Sequence, residues 1–127
     1  MATTMNNRIV AFRSVHNRYM VAEHGHANAN RQHIGPWEKF QIKHWGGGIV
    51  SIRSIAWNRY LVAEWGSCHC NRQHVGAWEK FYVKKISSNR IALESHANRF
   101  VVAESNGHLN ANRLHLGPWE KFYVVYV

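Results

Sequence analysis

The sequence predicts an all-β protein of three like units, because one segment occurs three times, its period is near 40 residues, and its apolar residues fall in short alternating runs. The segment Arg18–Phe40 returns as Arg59–Phe81 and as Arg99–Phe122. Asn17, Asn58 and Asn98 stand before the three copies, and Trp-Glu-Lys-Phe closes each of them. Between these ends Val21-Ala22-Glu23 recurs as Val62-Ala63-Glu64 and as Val102-Ala103-Glu104.

Each element follows from its residues. Ile9-Val10-Ala11-Phe12 and Tyr19-Met20-Val21-Ala22 are short runs rich in β-branched and aromatic residues, so both read as strands. His24-Gly25 and the polar stretch after it supply turn chemistry, and Phe40-Gln41-Ile42 returns to strand periodicity. No run of ten residues carries helical spacing. Roughly four strands fall to a copy, and their edges must close on one another or aggregate. A β-trefoil meets that need: a six-stranded barrel capped by three hairpins. A three-bladed propeller falls below the usual minimum of about four blades. The expected organisation is one domain over residues 1–127, with repeats near 8–47, 48–87 and 88–127.

Composition narrows the function. The chain has 127 residues, 46% of them hydrophobic, which is enough to bury a core within one domain. No window approaches the ~18 apolar residues of a membrane span, and the first residues lack the apolar core of a leader. Synthesis in the cytosol is therefore expected, with any release following a leaderless route. The net charge is +9 with ten histidines, so acidic partners are favoured: nucleic acid, anionic lipid, an acidic protein filament or a sialylated glycan. The basic residues are spread through all three copies without a Lys/Arg tract, which makes nucleic acid and membrane surfaces the poorer fits. Cys68 and Cys70 are too close for a structural bridge and too few for a zinc site. No cofactor or metal is expected.

The string Asn-Arg-Tyr-(Met/Leu)-Val-Ala-Glu, then Ala-Asn-Arg, then Gly-Pro-Trp-Glu-Lys-Phe resembles the fascin-like and hisactophilin-like β-trefoils, over residues 8–127. The resemblance implies that fold, and it implies F-actin binding or bundling as one activity. The same architecture is similar to that of the R-type lectins and the bivalve galactose-binding lectins, which implies glycan binding as the other. Glu38-Lys39-Phe40 stands where R-type lectins carry Gln-x-Trp, as do Glu79-Lys80-Phe81 and Glu120-Lys121-Phe122. Because that signature is not met literally, its sugar-binding residues are not carried over.

The recurring polar residues suggest a pocket in each copy. A hexose needs an acceptor for adjacent hydroxyls, a donor, and a flat group for its apolar face. Copy one offers Glu23, His24, Asn30, Arg31, His33 and Gly35. Copy two offers Glu64, Trp65, Asn71, Arg72, His74 and Gly76, and copy three Glu104, Asn112, Arg113, His115 and Gly117. Ser105 replaces the His24 plate in copy three, so the first two pockets are expected to bind better. Plainer readings stand beside these. Glu23 pairs with Arg31 and nothing else. Asn30, Asn71 and Asn112 are left-handed turn residues, and Gly35, Gly76 and Gly117 need positive φ or a close approach. Trp37, Trp78 and Trp119 pack over the loop below each pocket, and Phe40, Phe81 and Phe122 belong to the core.

Nothing suggests catalysis: no nucleophile elbow, paired-carboxylate arrangement or phosphate loop stands out. Repetition fits binding instead, since repeated weak sites gain avidity. The reading that results is a non-enzymatic lectin for galactose-containing, including sialylated, glycans of glycoproteins or glycolipids, with F-actin as the alternative partner. The apolar end Tyr123–Val127 is either a homodimer seal or the last barrel strand.

Overall fold

The computed structural model describes residues 5–127; the leader expectation rests partly on residues 1–4, outside that range. Copy one supplies β1 (Ile9–Arg13), β2 (Tyr19–Glu23), β3 (His26–Arg31) and β4 (Phe40–Gly46). Copy two supplies β5 (Ile49–Ser54), β6 (Arg59–Glu64), β7 (Ser67–Arg72) and β8 (Phe81–Lys85). Copy three supplies β9 (Arg90–Glu94), β10 (Phe100–Ala103), β11 (Leu109–Arg113) and β12 (Phe122–Tyr126). A single 3-10 turn precedes the last strand of each copy: Pro36–Glu38, Ala77–Glu79 and Pro118–Glu120.

Side-chain periodicity explains the difference between strands. In β3 the small Ala27 and Ala29 are buried while His26 and Asn30 face water, the alternation of a sheet with one wet face. In β2 Met20, Val21 and Ala22 are buried in succession, so that strand is covered on both faces.

The all-β class holds, but the expected β-trefoil is corrected by the strand pairing. The predicted form set three hairpins as caps on a six-stranded barrel. Instead the strands join one antiparallel sheet whose circuit runs β10-β11-β7-β3-β2-β1-β4-β5-β8-β9 and returns to β10. That is a closed ten-stranded barrel, with β6 bridging β5 to β7 and β12 bridging β1 to β9 as the two extra strands. The physical reason lies in the hairpins' backbone groups, which need partners once their edges are buried. Ala29 N–H donates to Gly107 O at 2.8 Å, Cys70 N–H to Gly25 O at 3.0 Å, and Ala111 N–H to Gly66 O at 2.9 Å. Each hairpin turn is thereby bonded to the next copy's hairpin rather than standing alone. The end Tyr123–Val127 is spent in the sheet: Tyr123, Val124, Val125 and Tyr126 pair with β1.

The core is centred on Phe12, Phe40, Phe81 and Phe122, all at 0% exposure, with Met5, Met20 and Leu61 around them. The closing Phe of every copy is therefore a packing residue, as the repeat implied.

The hairpin-to-hairpin lock is tightest at Gly107. Its φ is +93°, and a Cβ there would meet Asn30 Cβ at 2.7 Å and Asn30 Cα at 3.6 Å. Gly107→Ala is expected to cost roughly 2–3 kcal/mol, joining a disfavoured backbone to a clash with a strand. Gly47, at φ +62° with open space around its Cβ position, is the control; Gly47→Ala is expected to cost only about 1 kcal/mol. Urea denaturation of the two variants checks the contrast.

His44 on β4 carries the clearest pH dependence. Its Nε2 is buried without a hydrogen-bond partner among the described residues, and burial lowers the imidazole's pKa below the ordinary 6.5. The folded state thus prefers neutral His44 while the unfolded chain takes up its proton first. The contribution to stability is whole above about pH 6.5 and is lost as pH falls through the lower folded-state value. His44→Gln is expected to flatten the wild-type loss of stability between about pH 7 and pH 5, read by denaturation at each pH.

Candidate ligand-binding site

The predicted carboxylates and arginines do meet, but they satisfy each other. Antiparallel pairing of β2 with β3 sets Glu23 opposite His26 and Arg31 opposite Tyr19, at the two ends of the hairpin, and the two long side chains span it so that Arg31 Nη2 donates to Glu23 Oε1. Arg72 does the same to Glu64, and Arg113 to Glu104 at 2.7 Å. The neighbouring Asn orients each guanidinium. Asn30 Oδ1 and Asn71 Oδ1 accept from Arg31 Nε and Arg72 Nε, both at 3.1 Å, and Asn112 Oδ1 accepts from Arg113 Nη1 at 2.7 Å. Glu104 also accepts from Asn110 Nδ2 at 3.2 Å. These triads are partly exposed and staple one hairpin each, which surface ion pairs do only weakly, at about 0–1 kcal/mol.

Other predicted residues take different places. Asn30, Asn71 and Asn112 lie in strands; the left-handed asparagines that recur in every copy are Asn17, Asn58 and Asn98, with φ of 62°, 54° and 62°, and Asn7 at 63° stands outside the repeat. His33, His74 and His115 sit on the exposed bends after β3, β7 and β11, outside the triads, and hydrogen-bond to nothing among the described residues. Gly35, Gly76 and Gly117 have extended backbone with φ near −114° for the first two, so the close-approach reading applies and the positive-φ reading does not. Their N–H groups donate to Glu38, Glu79 and Glu120, at 2.6 Å in the first two copies. An added Cβ would press on the same carboxylates at 3.0–3.2 Å. The Glu of Trp-Glu-Lys-Phe is thus a buried brace for the 3-10 turn, which accounts for its recurrence.

The copies differ at the hairpin tips, and there a site forms. His24-Gly25 and Trp65-Gly66 are two-residue turns with positive φ at both positions: 50° and 85° in the first, 54° and 79° in the second. That is the type I′ pattern that joins tight hairpins and favours Asn or Gly. Copy three spends Ser105-Asn106-Gly107 on the same connection and projects no ring. Trp65 is 88% exposed, so a bulky side chain occupies a disfavoured backbone without burying itself.

The first two tips meet the Trp of their own 3-10 turn, and each junction also holds the residue before the left-handed Asn of the next copy. At the first junction Trp57 fills the space, with ring centroids 5.1 Å from Trp37 and 4.9 Å from His24, and its Nε1 donates to Ala22 O at 2.7 Å. At the third, His16 packs on Trp119 at 4.9 Å, and its Nε2 lies 3.0 Å from Ala103 O. At the second, the corresponding residue is Ala97. Trp65 and Trp78 face each other there at 5.5 Å and 61°, and a cleft of about 290 Å³ opens between them, Ala97, Arg99, Ala111 and Asn112. The third junction holds a smaller opening of about 100 Å³, with His16, Arg18, Asn30 and Glu104 on its walls.

Sequence reasoning named Trp65 and Asn112 but missed Trp57, Ala97 and Arg99. The signal was available: His16, Trp57 and Ala97 differ sharply at one repeat position flanked by an unchanging Asn-Arg. A further polar opening of about 260 Å³ lies where β3, β7 and β11 meet, lined in part by His26, His69 and His108. Cys68 and Cys70 are buried free thiols, and burial pushes both up to about 12, so neither presents a thiolate near neutral pH. No helix among the described residues is long and apolar enough to cross a membrane. No protein-family model and no curated protein matches this chain.

Proposed function

We propose that the protein is a carbohydrate-binding protein without catalytic activity, and that its binding surface is the Trp65–Trp78 junction. One observation carries the reading: Trp65 holds a left-handed backbone at a hairpin tip, 88% exposed, beside Trp78 and above an open cleft. Backbone strain of that kind concentrates where a side chain is needed for binding. An indole presented this way suits the C–H face of a pyranose, while Asn112 supplies an amide for its hydroxyls. The recurring carboxylates support the non-catalytic part, because Glu23, Glu64 and Glu104 are held by arginines and Glu38, Glu79 and Glu120 brace backbone amides.

Terminal galactose is the first sugar to test. A glycan array run beside F-actin co-sedimentation separates the readings. Retention on galactose-terminated glycans, competed by millimolar free sugar and insensitive to moderate salt, is the expected result. Co-sedimentation that collapses with salt, with no glycan retained, would replace the lectin reading by charge-driven filament binding.

A further inference from the structure

We infer that the chain carries one ligand cleft rather than three, and that it takes a pyranose bearing a carboxylate, with the ring against Trp65 and Trp78 and the carboxylate on Arg99. This deepens the glycan reading and rests on it.

The three junctions are internal controls for one another. Their frames match: Arg18, Arg59 and Arg99 each direct Nη1 to the carbonyls flanking the left-handed Asn. What differs is the residue before that Asn. Trp57 closes the first junction by stacking on Trp37 and bonding Ala22 O, and His16 makes the matching contact with Ala103 O at the third. Ala97 has no ring to place there, so the second junction alone combines a large cleft with two facing indoles.

Charge separates the junctions as well. The second cleft is lined by Arg99 and by no carboxylate, and Arg99 has no acidic partner among the described residues. At the third junction Glu104, which is bonded to Arg113, stands on the wall with Arg18, so that opening is not lined by positive charge alone. With Nη1 held at 3.3 Å from Ala97 O and 3.2 Å from Asn98 O, Arg99 keeps its Nε and Nη2 edge for a ligand. Two parallel N–H donors match the two oxygens of a carboxylate. Asn112 gives its Oδ1 to Arg113 and retains its amide hydrogens for a hydroxyl. A volume of about 290 Å³ sits at the small end of ligand sites, which fits one sugar unit rather than a chain.

Titration calorimetry tests the inference with methyl glucuronide, sialyllactose, galactose 6-sulfate and methyl galactoside. The expected result is one site per chain that prefers the two carboxylate sugars. Arg99→Gln is expected to weaken them about 10–100-fold and to weaken methyl galactoside at least several-fold less, so that the preference for the carboxylate sugars is lost. Arg99→Lys keeps the charge without the fork and is expected to fall between. Ala97→Trp, which leaves Arg99 in place, is expected to abolish binding of all four while the melting curve stays intact. Preference for the sulfate, or equal binding of methyl glucuronide and methyl galactoside that Arg99→Gln does not alter, overturns the carboxylate assignment and leaves the glycan reading standing. Binding that survives Ala97→Trp, or a stoichiometry of three, overturns the single cleft. If no sugar binds, the glycan reading itself fails.

Discussion

Phe40→Ala is expected to lower the free energy of unfolding by about 3–5 kcal/mol and the melting temperature by roughly 10–20 °C. Phe40 is wholly buried at the first residue of β4, where it pairs with Val10 on β1 and Ser54 on β5. Its ring lies 5.9 Å from that of Phe12, and Phe81 and Phe122 hold the same position in the other copies. Removing it deletes the contact between neighbouring strands of the closed sheet and leaves a cavity that three bonded strands cannot collapse to fill. Phe81→Ala and Phe122→Ala are expected to cost similar amounts, because repeat symmetry gives them equivalent burial. Thermal unfolding followed by circular dichroism measures all three. A variant that melted like the parent would mean that the closing strand is out of register.

The strand runs and the core phenylalanines were legible because they depend on local pattern: period-two burial and an aromatic at a repeat boundary. The joining of the strands was not. Whether a hairpin caps a barrel or enters its circuit is settled by bonds such as Ala29 N–H to Gly107 O, between residues 78 positions apart, and no periodicity encodes them. The Glu–Arg pairs were legible as pairs, since a hairpin this short keeps both long side chains within reach of each other. Their locking into three-residue staples was harder to read, because it depends on Asn30, Asn71 and Asn112 turning each guanidinium toward its carboxylate. His33 recurs in a polar loop, which suggested a ligand; the structure places it on an exposed bend after β3, outside the Glu–Arg–Asn triad. The site itself was hidden because repetition drew attention to what the copies share, whereas the opening comes from Ala97, where they differ.

Trp65→Asn separates binding from stability and carries the largest expected functional effect. Removing an aromatic anchor from a small site typically costs 2–4 kcal/mol of binding, so glycan retention is expected to fall by about 100-fold or more. Stability is expected to stay within about 1 kcal/mol of the parent, since Asn relieves the left-handed backbone at φ 54° while the lost edge contact with Trp78 is worth a similar amount. The indole buries almost nothing of its own, being 88% exposed, so no core term opposes that balance. His24→Asn is the matched control, because it changes the same turn position at a junction already filled by Trp57. Its glycan retention is expected to equal the parent's. Array binding and urea denaturation on the two variants give the comparison. A Trp65→Asn protein that kept full retention would show that the exposed ring serves something other than the sugar, and one that lost several kcal/mol of stability would show that the ring is structural.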